Sequence, residues 1–265
     1  MVNQHLQFDA SLANTLARSY SPLLYFRKLR ELLESLFHEI DFSNYEKYDL
    51  HKMVNNILAN NYYGEEIVKY QIAKKYLKKN TVGAFEIKAR NSRADFLSIN
   101  GVTRCYEIKT KLDNLNKLIK QSNDYGSVFE YNTIILDKKH LNQALRVLPI
   151  EFGITLIEEK GLRVLRHAKK HKFLCSKSQL EMLTSKELTC HFGLDYNSLK
   201  LVLDNFSCQE INRLFKKALK NRYFDKWYFV KEHNKNILPI DFQFFFSTKE
   251  SPSLLYQKDF KLYLE

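Results

Sequence analysis

Apolar positions in the first third of the chain fall at helical spacing. In residues 24–40, Leu29, Leu32, Leu33 and Leu36 line one side of a predicted helix. A break at 41–45 separates it from a second helical pattern that runs to about residue 60. A third helix is expected over 65–79, with Val68, Ile72, Tyr76 and Leu77 on one side. At Val82 the period changes from that of a helix to that of a strand. Residues 84–89 alternate, and 93–99 form an apolar run that stops at the tight-turn dipeptide Asn100-Gly101. Residues 104–110 then resume as a strand. A helix is expected over 112–124, a β-branched strand over 132–136, a short helix over 139–148 and a strand over 154–157. A last hairpin turns at Glu159-Lys160-Gly161 into 162–165.

This order of helix, strand meander, helix, strand, helix and strand predicts an α/β fold with a mixed central sheet flanked by helices. From Lys169 the pattern is helical again to about Asp225, and Ser207 followed by Glu210 has the spacing of a capping box. The basic stretch His167-Ala168-Lys169-Lys170-His171-Lys172 is the best boundary in the chain. Three regions are therefore expected: a helical segment over 1–61, a core over 62–168 and a mainly helical region over 169–265. Residues 184–204 read as a helix-turn-helix, with Thr184 or Ser185 as cap, Gly193 in the turn, and Asn197, Ser198 and Lys200 on the second helix. Plain helical packing explains the same pattern. The last 40 residues, rich in Phe and Tyr, take no assignment.

Composition narrows the class. A hydrophobic fraction of 45% with 27% charged residues is the profile of a soluble globular protein. Seven glycines and four prolines argue against long linkers and Gly-rich phosphate loops. No apolar run is long enough for a membrane span, and the start MVNQHLQFDASLANTL lacks a signal-peptide pattern, so a cytoplasmic location is expected. Forty-two Lys and Arg against 30 Asp and Glu leave a net charge of +12, which favours a polyanionic partner such as nucleic acid. Coding bias of an A/T-rich genome would enrich lysine in the same way. Cys105, Cys175, Cys190 and Cys208 have neither zinc-site nor disulfide spacing and read as free thiols. His167 and His171, four apart in the basic stretch, have no carboxylate beside them to support a metal site.

The segment that carries chemistry is SRADFLSINGVTRCYEIKTKLDNLNKLIKQSNDY, residues 92–125. Asp95 lies on one arm of the hairpin that turns at Asn100-Gly101, while Glu107 and Lys109, two apart, share a face of the other arm. Two carboxylates converging there could hold Mg²⁺ or Mn²⁺ through oxygen ligands. Such a cation polarises a phosphoryl oxygen and acidifies a bound water, and a neighbouring lysine can orient that water. Gln121 and Tyr125, four apart, share a face of the following helix.

These residues resemble the PD-(D/E)xK, or restriction-endonuclease-like, nucleases. The match rests on Arg93-Ala94-Asp95, Tyr106-Glu107-Ile108-Lys109 and the Gln121, Tyr125 pair, which is similar to a QxxxY element. The wording RxD, Asn-Gly, YEIK, QxxxY is similar to that of a group of bacterial and phage proteins, and Lys139-His140-Leu141 extends it. The resemblance covers roughly residues 80–170 and departs at Ala94, where the eponymous proline would stand. It implies a restriction-endonuclease-like core and a Mg²⁺- or Mn²⁺-dependent endo- or exodeoxyribonuclease acting on DNA, in phage defence or mobile-element biology. Asp95, Glu107 and the Ile108 carbonyl would bind metal, and Lys109 would position water. Gln121 and Tyr125 would support the lysine, and Arg93, Lys111, Lys117 and Lys120 would meet the nucleic acid. A further acid is expected, with Glu86 preferred and Glu65 or Glu66 as alternatives. A non-cleaving nucleic-acid-binding module and a partner-binding regulatory protein stay open as alternative functions, as do a homo-oligomer and a protein partner. The aromatic tail (Phe242, Phe244, Phe245, Phe246, Leu254 to Tyr256) favours the regulatory alternative.

Overall fold

Alternating burial along residues 82–109 builds an antiparallel meander of β1 (Val82–Ala89), β2 (Ser92–Asn100) and β3 (Val102–Lys109). Gly101 holds φ +68° at the β2–β3 turn, a left-handed conformation that costs glycine little. Helix α5 (Leu118–Val128) carries the chain back to β4 (Tyr131–Asp137), which runs parallel to β3. A 3-10 turn (Lys138–His140) and α6 (Leu141–Val147) lead to β5 (Gly153–Glu158), parallel to β4. β6 (Gly161–Arg166) closes the sheet antiparallel to β5. The six strands lie in chain order, β1 to β6. The fold is thus α/β with a mixed sheet flanked by helices, as the sequence pattern predicts.

The computed structural model describes residues 10–62, 64–78, 80–159, 161–193 and 199–247. The chain divides into two units, one of residues up to Tyr70 with those from Glu232 onward, the other Gln71–Lys231. The first unit contains α1 (Ala10–Ser19), α2 (Phe26–Leu36) and α3 (Lys47–Asn61), whose apolar stripes meet in a core of Leu16, Leu29, Leu33, Phe42, Leu50 and Val54. A 3-10 turn (Pro239–Asp241) and α11 (Phe244–Ser247) belong to the same unit. There Phe242 is buried with its ring 4.8 Å from that of Tyr70, and Phe244 and Phe246 are half-buried. Leu254 to Tyr256 lie outside the described residues, as does the side chain of Phe245. The unit boundary falls within α4 (Glu66–Leu77).

In the second unit the sheet has two different faces. One is aromatic: Phe85, Phe96 and Tyr106 pack with Tyr76 of α4 and Trp227 of α10 (Cys208–Glu232). Gly83 belongs to this packing, because a Cβ there would lie 2.4 Å from the Trp227 ring. The other face bears Asp95, Cys105, Glu107 and Lys109, and α5 packs over β1, β2 and β4.

Two expectations need correction. The basic stretch at 167–172 is no unit boundary. Lys169 N donates to Glu151 O (2.8 Å), His171 N to Glu130 O (2.8 Å) and Cys175 N to Ser127 O (2.7 Å), so the segment is stapled along the core. The buried Glu130 carboxylate adds to this: it draws in Lys170 (3.4 Å), Lys216 (3.2 Å) and Asn212 (3.3 Å) and accepts from Thr103 N (2.9 Å). The helix expected over 112–124 instead begins at Leu118. Asp113 takes the Thr110 amide (2.7 Å) and hydroxyl (2.8 Å), closing a turn there, and Asn114 takes the Asn116 amide (3.1 Å), which a helix from 112 would need for its first bond.

The remaining helices are α7 (Ser176–Leu180), α8 (Ser185–Phe192) and α9 (Leu199–Asn205). Thr184 and Glu187 form a capping box on α8, and Gly193 ends it at φ +71°. Ser207 and Glu210 exchange the same reciprocal bonds ahead of α10. Of the residues expected to read a groove, Lys200 is exposed on α9, while Asn197 and Ser198 lie outside the described residues. Among the described residues no helix is long and apolar enough to cross a membrane.

Candidate active site

Strands β2 and β3 part company at a definite point. Their pairing runs from Asn100↔Val102 to Phe96↔Tyr106 and goes no further, while β3 continues beside β4 to Lys109↔Leu136. The Ile108 amide, past the fork, is met by a side chain: it donates to Asp95 Oδ2 at 2.5 Å. Asp95 is thereby held nearly buried at the mouth of the fork, with one oxygen engaged by the backbone.

On its other side Asp95 faces Glu86. The β1–β2 register pairs Phe85 with Phe96 and Ile87 with Ala94, so Glu86 stands opposite Asp95 although the ladder is interrupted there. Glu86 has φ +57°, a left-handed conformation for a residue with a Cβ, which costs about 1 kcal/mol or more. One carboxylate oxygen of each residue lies within 4.8 Å of the other. Two oxygens on one octahedral Mg²⁺ stand about 2.9–4.2 Å apart, so these two carboxylates are near the spacing that could hold a hard divalent cation. Arg93 partly neutralises the pair, its Nε 2.5 Å from Glu86 Oε2.

Glu107 is more deeply buried and fully engaged. Its Oε1 accepts from Lys109 Nζ at 2.7 Å and from the Gln121 side-chain amide. Its Oε2 lies 2.7 Å from the Tyr125 hydroxyl, which also stands 2.8 Å from the Arg93 carbonyl. Burial pushes the Glu107 carboxyl above the usual carboxylate range, against the opposing pull of Lys109, Tyr125 and Gln121. Burial alone would lower Lys109, but the Glu107 carboxylate, helped by Asp95 and Asp113, raises its ammonium above the ordinary value. Cys105, one strand step below Glu107, is buried, and its thiol is pushed up by burial and by the two carboxylates.

The structure thus brings Asp95, Glu86, Ile108, Glu107, Lys109, Gln121 and Tyr125 together at one end of the sheet. It does not set Glu107 as a second carboxylate facing Asp95 in the way the hairpin suggests. Glu107 is turned to Lys109 and α5 instead, and Glu86 stands beside Asp95. Glu65 and Glu66 belong to the other unit, where Glu65 accepts from the buried Lys69 at 2.5 Å. Lys111 and Lys117 are exposed on the loop before α5, and Lys120 Nζ donates to Asn91 O at 2.8 Å. The Lys111 carbonyl accepts from Lys139 Nζ, and His140 Nε2 lies 3.0 Å from the Thr110 carbonyl, so this polar turn is tied down just beyond Lys109.

Sequence reasoning missed Asp124. Nearly buried, it accepts from Ser92 Oγ at 2.6 Å and stands 3.8 Å from Arg90 Nε, anchoring the β1–β2 turn to α5. Its position one residue before Tyr125 was the available signal, and only the fold shows that the turn comes within reach.

Known proteins add the following. The family described as Bacteriophage P4 protein cII matches residues 53–245. No curated protein matches the chain. Among solved structures, a protein of unknown function from Silicibacter pomeroyi is similar with a TM-score of 0.35 and 16% identity. The similarity covers 55% of this chain and 96% of that one.

Proposed function

The chain belongs to the bacteriophage P4 protein cII family, and for this family member we propose a metal-dependent nuclease activity on DNA, with its site at the β2–β3 fork. The observation that carries the proposal is the pairing of Glu86 and Asp95 carboxylates within 4.8 Å beside Lys109 and Glu107, at the end of a sheet strand where β2 has peeled away. The reading rests on the PD-(D/E)xK resemblance of the sequence, with Glu86 taking the place beside Asp95 that the resemblance gives to Glu107. A backbone strained at Glu86 and carboxylates gathered at low exposure raise folding cost, and a bound divalent cation would offset it.

Glu86 and Asp95 would hold Mg²⁺ or Mn²⁺, with the Ile108 carbonyl as a further oxygen, while Glu107 would serve to fix Lys109 beside them. The cation would supply the charge that polarises a phosphoryl oxygen and acidifies a water. Lys109, kept protonated by Glu107, would orient the attacking water and meet charge developing on the phosphate. Gln121 and Tyr125 position Glu107, and through it Lys109. Exposed Arg93, Lys111 and Lys117 would contact the DNA backbone, and Lys120 holds the β1–β2 turn. A phage protein family is consistent with a role in mobile-element biology or phage defence.

One observation favours a second reading, a protein that grips nucleic acid without cutting it: Glu107 is already saturated by Lys109, Gln121 and Tyr125. Incubation of supercoiled plasmid and of single-stranded DNA with Mg²⁺ or Mn²⁺ separates the two. The nuclease reading expects cutting that falls about 100-fold or more in Asp95→Ala and in Lys109→Ala. Salt-sensitive binding without cutting, equal in wild type and both variants, would favour the second.

A further inference from the structure

We propose that the exposed face of α10 binds single-stranded DNA, separately from the fork site. A helix advances about 100° per residue, so Arg213, Lys217, Lys220, Asn221, Phe224, Tyr228 and Lys231 fall within an arc of about 100°. Asp225 lies outside that arc, and between Arg213 and Tyr228 the arc carries no carboxylate. Phe224 and Tyr228 are 49% and 51% exposed, and their rings stack on each other at 5.9 Å with planes 16° apart. Among the described residues Lys217 and Lys220 form no side-chain hydrogen bond or ion pair, so their charge is available to a ligand.

The opposite side of α10 already has its partners. Ile211, Leu214, Phe215, Ala218, Leu219 and Trp227 are buried. Lys216 is spent on Glu130 and Arg222 on Glu187. About half the surface of each stacked ring stays outside the packing of the unit. The outer flat face of an exposed ring is a platform for a nucleobase, and cations spaced along the same stripe match a phosphate chain. From residue 213 to 228 the stripe spans about 22 Å, enough for several nucleotides. The bases of a duplex are stacked inside it and cannot reach the rings. A separated strand offers them, which is why the occupant is single-stranded. Between Arg213 and Lys231 the stripe carries four cations and no carboxylate, a charge pattern that suits a polyanion.

The proposal shares the DNA substrate of the preceding reading but not its chemistry, and the experiment keeps the two apart. Binding of fluorescent dT20 and of a 20-base-pair duplex is measured by anisotropy in EDTA, in the Asp95→Ala background. Phe224→Ala and Tyr228→Ala should each weaken dT20 binding about 5-fold or more while leaving duplex binding within 2-fold. Lys217→Ala and Lys220→Ala should each reduce the slope of log affinity against log salt by about 0.7. Tyr228→Trp, which keeps a ring, should retain the dT20 affinity, and far-UV circular dichroism checks that every variant folds. Unchanged dT20 affinity in both folded ring variants overturns the proposal. So do equal losses on duplex and single strand, tighter binding of rU20 that the rings govern instead, or ring variants that abolish self-association in sedimentation without touching dT20.

Discussion

Tyr125 shows how much one side chain settles at this site. Its hydroxyl stands against both Glu107 and the Arg93 carbonyl, joining α5, β2 and β3 through a single oxygen. Tyr125→Phe keeps the packing and leaves a buried carboxylate short of a donor. Stability should fall by about 1–3 kcal/mol, measured by urea unfolding. On the nuclease reading cleavage should fall as well, because Glu107 would no longer hold Lys109 in one place. A variant as stable as wild type would mean that water replaces the hydroxyl and that the network is not closed. The residue types at the site were legible in the sequence: Asp95, Glu107, Lys109, Gln121 and Tyr125 could all be named from spacing and resemblance. Their orientation was not. Glu107 turns toward Lys109 and α5 because three donors converge there, and Glu86 reaches Asp95 only through a left-handed backbone that no propensity predicts.

At the scale of elements, the meander was readable because alternation of period two and an Asn-Gly turn are local signals. The start of α5 was misread because Asp113 and Asn114 compete for backbone amides, and a hydrophobic pattern does not register that competition. Packing between elements gives a direct test. Gly83 meets the Trp227 ring with no space for a side chain, so Gly83→Ala must push α10 away from β1. A loss of about 2 kcal/mol or more is expected, in the range of overpacked cores, with a lower melting temperature in a thermal scan. If the melting temperature holds within a degree, α10 is free to shift and its packing on the sheet is looser than the contact implies. The stapling of residues 169–175 by Glu130 and the neighbouring carbonyls likewise depends on groups distant in the chain, which made a basic stretch look like a linker.

For the whole molecule, the helical unit sets a pH dependence. His51 is fully buried, its Nδ1 2.8 Å from the Tyr20 hydroxyl, and burial together with the Lys47 charge lowers its pKa to about 3. An unfolded histidine titrates near 6.5, so below that pH the unfolded chain takes up a proton that the folded imidazole refuses. Stability is therefore complete above about 6.5 and falls by about 1.4 kcal/mol for each pH unit toward 3. Melts between pH 6.5 and 5, above most carboxylate titrations, should show that slope in wild type and lose it in a folded His51→Gln variant. Equal slopes in the two proteins would mean that another group is responsible. Taken by itself, the sequence determined the α/β class, the strand order of the meander, the polar residue types that the fork gathers and a basic surplus, because periodicity, turn dipeptides and charge are local or additive properties. The tertiary structure decided where the units divide, how Glu86 comes to face Asp95, where α5 begins and which aromatic residues of α10 stay outside the core. Each of those depends on groups far apart in the chain meeting at hydrogen-bonding distance, and a one-dimensional pattern carries no such distances.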